Sequence, residues 1–83
     1  MTARRLLKLY LRGNCTLCEE MFSEVRPWQG RLGFRVETVD IDDDEALRRR
    51  FDFKVPVLVE GEEEICHHFL DEDVLLAHFG QRA

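Results

Sequence analysis

An almost unbroken apolar run, Leu6-Leu7-Lys8-Leu9-Tyr10-Leu11, ends at Gly13-Asn14 and is followed at once by Cys15-Thr16-Leu17-Cys18 and an amphipathic stretch over 17–25. Apolar residues at nearly every position mark a central strand covered by helices on both faces. Gly13 and Asn14 break that strand, and Thr16 with Glu19 three residues later matches a capping box, so a helix begins at Cys15 or Thr16. Leu17, Met21 and Val25 recur every four residues with Phe22 beside them, giving the helix its apolar stripe, and Pro27 marks a bend or an end.

The rest of the chain repeats this strand and helix alternation. Gly30 and Gly33 bracket a turn, after which 34–41 mixes β-branched and charged residues in rough alternation, the pattern of a less buried strand at a sheet edge. Asp42 with Glu45 repeats the capping signature, and the segment 43–50 has an acidic start and a basic end, both favourable to the helix dipole, with Leu47 and Phe51 facing inward. A third strand over 55–59 carries Pro56 near its start, where one ladder N–H is dispensable. Glu60-Gly61-Glu62 reads as a hairpin turn into a fourth strand, 64–69, with Ile65, His67 and Phe69 on one face and Cys66 and His68 on the other. Asp71 caps a last helix whose apolar side is Val74, Leu75 and Phe79, and Gly80 stands at its C-terminal cap. The order is βαβαββα. With the first two strands parallel and the last two a hairpin, the expected fold class is α/β, a three-layer sandwich on a four-stranded mixed sheet.

With 83 residues the chain is one domain, 1–83, whose core is real but small, because a domain this short buries only about 60% of its unfolded surface. At 45% hydrophobic and 35% charged residues it falls with soluble globular proteins, and no apolar run reaches membrane-spanning length. The start, Met1-Thr2-Ala3-Arg4-Arg5-Leu6-Leu7, has a leader-like charge pattern, but Lys8 and Arg12 interrupt the apolar segment and no small-residue cleavage site follows. Three cysteines cannot all pair within one chain, which argues against structural disulfides and for a reducing, cytoplasmic setting. A net charge of −5 argues against nucleic acid as a partner, since Arg48-Arg49-Arg50 is answered by Asp42-Asp43-Asp44-Glu45 on the same short helix.

Chemistry concentrates on Cys15 and Cys18. Two cysteines three residues apart share one helical face, where their sulfurs can close a small ring, and the positive helix start favours a thiolate at the first of them. A Cys-x-x-Cys pair after the first strand of a βαβ pattern is a redox signature, with metal binding or inert cysteines as the alternatives. Glu19 and Glu20 act in the opposite direction on the thiols. Cys66 reads as a small buried hydrophobe or as a third redox thiol. His67 and His68 lack the paired spacing of a zinc site, so no metal is assigned. His78 reads as a dipole-stabilising or partly packed residue, and Trp28 and Tyr10 as core or groove-edge aromatics.

The combination of Cys15-Thr16-Leu17-Cys18 after strand one, Val39-Asp40-Ile41-Asp42 ending strand two, Val55-Pro56 opening strand three and Leu70-Asp71-Glu72 opening the last helix resembles the thioredoxin fold, and within it a group of short bacterial glutaredoxin-like chains. The resemblance covers nearly the whole chain. It implies a small thiol-disulfide oxidoreductase in which Cys15 attacks a disulfide, Cys18 resolves the mixed disulfide, and Val55 with a cis Pro56 shapes the substrate groove. Arg12 and Lys54 stand where they could attract the carboxylates of glutathione or stabilise a thiolate. The implied partners are a disulfide-containing protein or a glutathione mixed disulfide, acting on a monomer, with glutathione as a possible reductant and no resident cofactor. The chain departs from ordinary glutaredoxins in three places: Thr16-Leu17 replaces Pro-Tyr, Lys54 replaces the threonine before Val-Pro, and Cys66-His67 replaces a glycine pair. Two glycines permit close backbone approach to a ligand, whereas a cysteine and an imidazole crowd that surface. A protein- or metal-binding module with little redox turnover is the alternative reading.

Overall fold

A computed structural model describes residues 5–80 and shows a single mixed sheet between two helical layers. The elements are β1 (Arg5–Leu11), α1 (Thr16–Val25), α2 (Trp28–Leu32), β2 (Phe34–Asp40), a 3₁₀ turn (Ile41–Asp43), α3 (Glu45–Phe51), β3 (Val57–Glu60), β4 (Glu63–His67) and α4 (Glu72–His78). Of the leader-like start Met1 to Leu7, residues 1–4 lie outside the described residues and 5–7 belong to β1. Among the described residues, no helix is long and apolar enough to cross a membrane.

The strand order is β2-β1-β3-β4, with β1 parallel to β2 and antiparallel to β3, and β3 antiparallel to β4. The alternation of side chains along a strand divides the core between the two faces of the sheet. Leu7, Leu9 and Leu58 pack with Met21 and Val25 of α1, Trp28 of α2 and Leu75 of α4. On the other side Val57 and Val59 pack with Ile41 and Phe51, and Tyr10 stacks on Phe51 at a ring separation of 4.6 Å. The expected three layers are therefore present, with β2 at an edge as its mixed composition requires.

Five local expectations give way to the structure. The helix stripe on α1 runs Cys18–Met21–Val25, with Leu17 only half-buried. Gly30 lies inside the short α2, and Gly33, at φ 77°, ends it by donating its N–H to Gln29 O at 2.9 Å. Asp44, not Asp42, caps α3, its Oδ1 accepting from the Ala46 and Leu47 amides, while the Asp40 carboxylate accepts from Asp42 N and holds the 3₁₀ turn before it. A register shift at Leu58/Val59 sets Val59 against Glu64 and Leu58 against Cys66. Ile65 and Cys66 consequently both enter the α1/α4 side of the core instead of facing apart, and a positive φ of 66° at His68 stops the strand before Phe69. Val74, placed by periodicity on the buried side of α4, is 41% exposed. Asp71 and Gly80 do cap α4 as read: Asp71 Oδ1 accepts from Val74 N, and Gly80 N donates to Ala77 O.

Candidate active site

β1 ends at Leu11, and Asn14 at φ 55° turns the chain so that Cys15 arrives in extended backbone at the N-cap of α1. Its Sγ accepts the backbone N–H of Cys18 at 3.2 Å. The capping role assigned to Thr16 thus belongs to Cys15, and Thr16 is the first helical residue. A sulfur can take this role because the first amides of any helix have no partner within the helix. Cys15 and Cys18 form a disulfide with Cα atoms 5.2 Å apart. Both border a cleft lined by Leu11, Arg12, Phe22 and Thr38, but their burial differs: Cys15 is half-buried, whereas Cys18 is 2% exposed within α1.

The strand register brings three loops to the same end of the sheet, because Leu11 ends β1, Val57 opens β3 beside Tyr10, and His67 ends β4 beside Val57. The loop before β3 contains a cis Val55–Pro56 bond, with Pro56 buried and its carbonyl accepting the His68 N–H at 2.8 Å. Arg12 donates to Asp42 Oδ1 and to Asp52 Oδ1, each at 2.7 Å, and so joins the Cys15 loop to the ends of β2 and α3. Lys54 Nζ pairs with Glu64 at 2.5 Å, and His67 Nδ1 meets the other oxygen of that carboxylate at 2.7 Å. Hydrogen bonding from Arg12 lowers the Asp42 pKa, hydrogen bonding from Lys54 lowers that of Glu64, and Arg12 is itself raised, chiefly by Asp42.

Residues 6–80 match the model of the glutaredoxin-like domain (DUF836) family. The chain belongs to that family. This glutaredoxin-like domain is 40% identical to protein Ne2328 from Nitrosomonas europaea, whose solution structure superposes with a TM-score of 0.82 over 94% of each chain. It is 32% identical to a structural genomics target protein from X. campestris, at a TM-score of 0.70 over 89% of this chain and 95% of the other. Thioredoxin 1 from Thermosipho africanus, 15% identical, shares the fold at a TM-score of 0.57 over 90% and 86% of the two chains. No curated protein matches the sequence. The fold of this glutaredoxin-like domain is α/β and thioredoxin-like, with an additional short helix, α2, between α1 and β2.

Within the domain, Cys66 stands apart from the dithiol. It pairs with Leu58 across the β4 ladder, is 9% exposed, and burial pushes its thiol pKa up against a lowering hydrogen bond from the Asp71 backbone. The histidines beside it are engaged elsewhere, His67 with Glu64 and His68 Nε2 with the Phe53 carbonyl at 2.9 Å. Among the described residues no three metal-ligating side chains converge. The His78 side chain is 8% exposed and lies 2.7 Å from Glu60 and 3.2 Å from Glu63, with Arg5 on the same Glu60 oxygen and 3.4 Å from His78 Nε2. Sequence reading placed Asn14 at the break after β1 but did not find Asp52 or His68 as organisers of the site. Asp52 and His68 act on partners 40 and 15 residues distant, which no local pattern encodes.

Proposed function

We propose that this glutaredoxin-like domain is a thiol-disulfide oxidoreductase in which Cys15 is the nucleophile and Cys18 the resolving thiol. The observation that carries this reading is the asymmetry of the pair: a half-buried cysteine at a helix N-cap whose sulfur receives the Cys18 N–H, and a second, buried cysteine one turn deeper. In the reduced protein the same N–H and the helix end favour a thiolate at Cys15. That thiolate attacks one sulfur of a substrate disulfide, forming a mixed disulfide at Cys15 and releasing the other substrate sulfur as a thiolate. Cys18 loses its proton to solvent and attacks Cys15 Sγ, closing the Cys15–Cys18 bond and releasing the second substrate thiolate. Two electrons pass from the dithiol to the substrate, and an external thiol reductant returns them.

Proximity makes the second step fast, since the attacking sulfur is already held against its target. Cis Val55–Pro56, at the same end of the sheet, supplies the backbone edge along which a substrate lies. A reducing compartment such as the cytoplasm suits this chemistry, and one copy of the chain holds every group it uses.

Disulfide reduction by wild type, Cys15→Ser and Cys18→Ser tests the assignment. Cys15→Ser should lose turnover by more than about a thousandfold, as nucleophile removal does in other enzymes, and Cys18→Ser should accumulate a mixed disulfide on Cys15. Turnover retained by Cys15→Ser would overturn the reading.

A further inference from the structure

Phe53 is 89% exposed and Phe69 65% exposed, the two most solvent-exposed large apolar side chains among the described residues. Neither contributes to the core, and exposed apolar patches rimmed by polar residues are where proteins commonly bind partners. His68 links them: its Nε2 lies 2.9 Å from the Phe53 carbonyl and its ring 6.4 Å from that of Phe69. Because the His68 amide also donates to Pro56, both aromatics belong to the end of the sheet that carries cis Val55–Pro56 and the Cys15 loop.

The charge around this end leans acidic. Behind Phe69 a hollow is bordered by Asp71, Glu72 and Asp73, and by Glu64, which Lys54 and His67 already partner. The two cations placed to receive an anionic ligand are already matched, Arg12 by two carboxylates and Lys54 by Glu64. Glutathione carries two carboxylates against one ammonium and would meet, in Arg12 and Lys54, two cations that already hold carboxylate partners. A chain segment with lysine or arginine beside its cysteine would be drawn in by the acidic border of the hollow.

We propose that the Phe53 and Phe69 face, with the acidic start of α4, seats a polypeptide substrate whose disulfide cysteine is flanked by basic and apolar residues, in preference to glutathione. This rests on the redox reading of Cys15 and Cys18 and specifies its substrate class. The aromatic rings cover the apolar residue, Glu72 and Asp73 face the basic one, and the substrate disulfide is presented to Cys15. The exchange chemistry is unchanged: Cys15 takes one substrate sulfur, the other leaves as a thiolate, and the dithiol supplies both electrons.

The test measures single-turnover rates of the pre-reduced protein, less those of Cys15→Ser, with four probes: neutral dithiodipyridine, a peptide disulfide with Lys and Leu beside its cysteine, the same peptide with Glu for Lys, and glutathione disulfide. At low salt the Lys peptide should react about tenfold or more faster than the Glu peptide and than glutathione disulfide. The gap should shrink at about 1 M salt, where the Debye length is about 3 Å. Reversing charge with Glu72→Lys and Asp73→Lys together should reduce the Lys-to-Glu rate ratio about threefold or more. Phe53→Ser with Phe69→Ser should slow the Lys peptide relative to dithiodipyridine. Equal peptide rates at low salt, or glutathione disulfide matching the Lys peptide, would overturn the proposal while leaving the redox reading in place. A Cys15-dependent rate of zero with dithiodipyridine would overturn both.

Discussion

The backbone N–H of Cys18 points at the sulfur of Cys15 from 3.2 Å, so the first cysteine of the pair is also the N-cap of α1. The cap and the proposed nucleophile are one atom. A group that receives an amide hydrogen bond and sits on the positive end of a helix dipole is better stabilised as an anion than as a neutral thiol.

Alkylation should separate the three thiols of the reduced protein. Cys66 is 9% exposed and its thiol titrates above the ordinary range because of burial, so less of it is thiolate at neutral pH. Iodoacetamide at pH 7 should label Cys15 first and Cys66 slowly, as read by peptide mass. Labelling of Cys66 at the rate of Cys15 would contradict the packing described for β4.

Much of this is legible in the sequence itself. The continuous apolar run of β1, the Asp71 and Gly80 caps of α4 and the Gly61-Glu62 hairpin are set by neighbours in sequence, and each stands where the pattern placed it. The dithiol was legible for the same reason. Ile65 was not, because the register shift opposite Leu58/Val59 depends on how β3 is held against β1. Nor was the pairing of Arg12 with Asp52, which joins two loops only once the sheet has brought them together.

Arg12 also pairs with Asp42, and that contact makes a second prediction. Hydrogen bonding from Arg12 holds the Asp42 carboxyl below its usual pKa. In Arg12→Met, NMR titration should find the Asp42 carboxyl back near the ordinary aspartate range. An unchanged Asp42 titration would show that the ion pair is not formed in solution.

Acid should weaken the fold through Glu60. Hydrogen bonding from Arg5 is the main cause that lowers its pKa from 4.5 to about 2, with His78 adding to it against partial burial. A carboxyl depressed in the folded state stabilises the fold above its unfolded pKa and loses that contribution as pH falls through its folded one. Urea unfolding should therefore show a loss on the order of 1 kcal/mol between pH 4.5 and about 2, the solvent-facing geometry of the pair having reduced the full linkage value. Glu60→Gln should remove that part of the acid dependence, and identical slopes in the two proteins would contradict it.

Leu75 is the fully buried residue by which α4 packs onto the sheet beside Leu7, Leu9 and Leu58. Leu75→Ala should cost about 2–5 kcal/mol in urea unfolding. In a domain of 83 residues that is a large share of the total stability. A cost below about 1 kcal/mol would mean that α4 is not docked as described.

The most direct measurement equilibrates the protein across a series of thiol-disulfide buffers, traps free thiols and identifies them by peptide mass. The account predicts one two-electron transition in which Cys15 and Cys18 disappear together from the trapped pool while Cys66 remains free. Cys15 and Cys18 staying reduced throughout the series, or either of them pairing with Cys66, would contradict it.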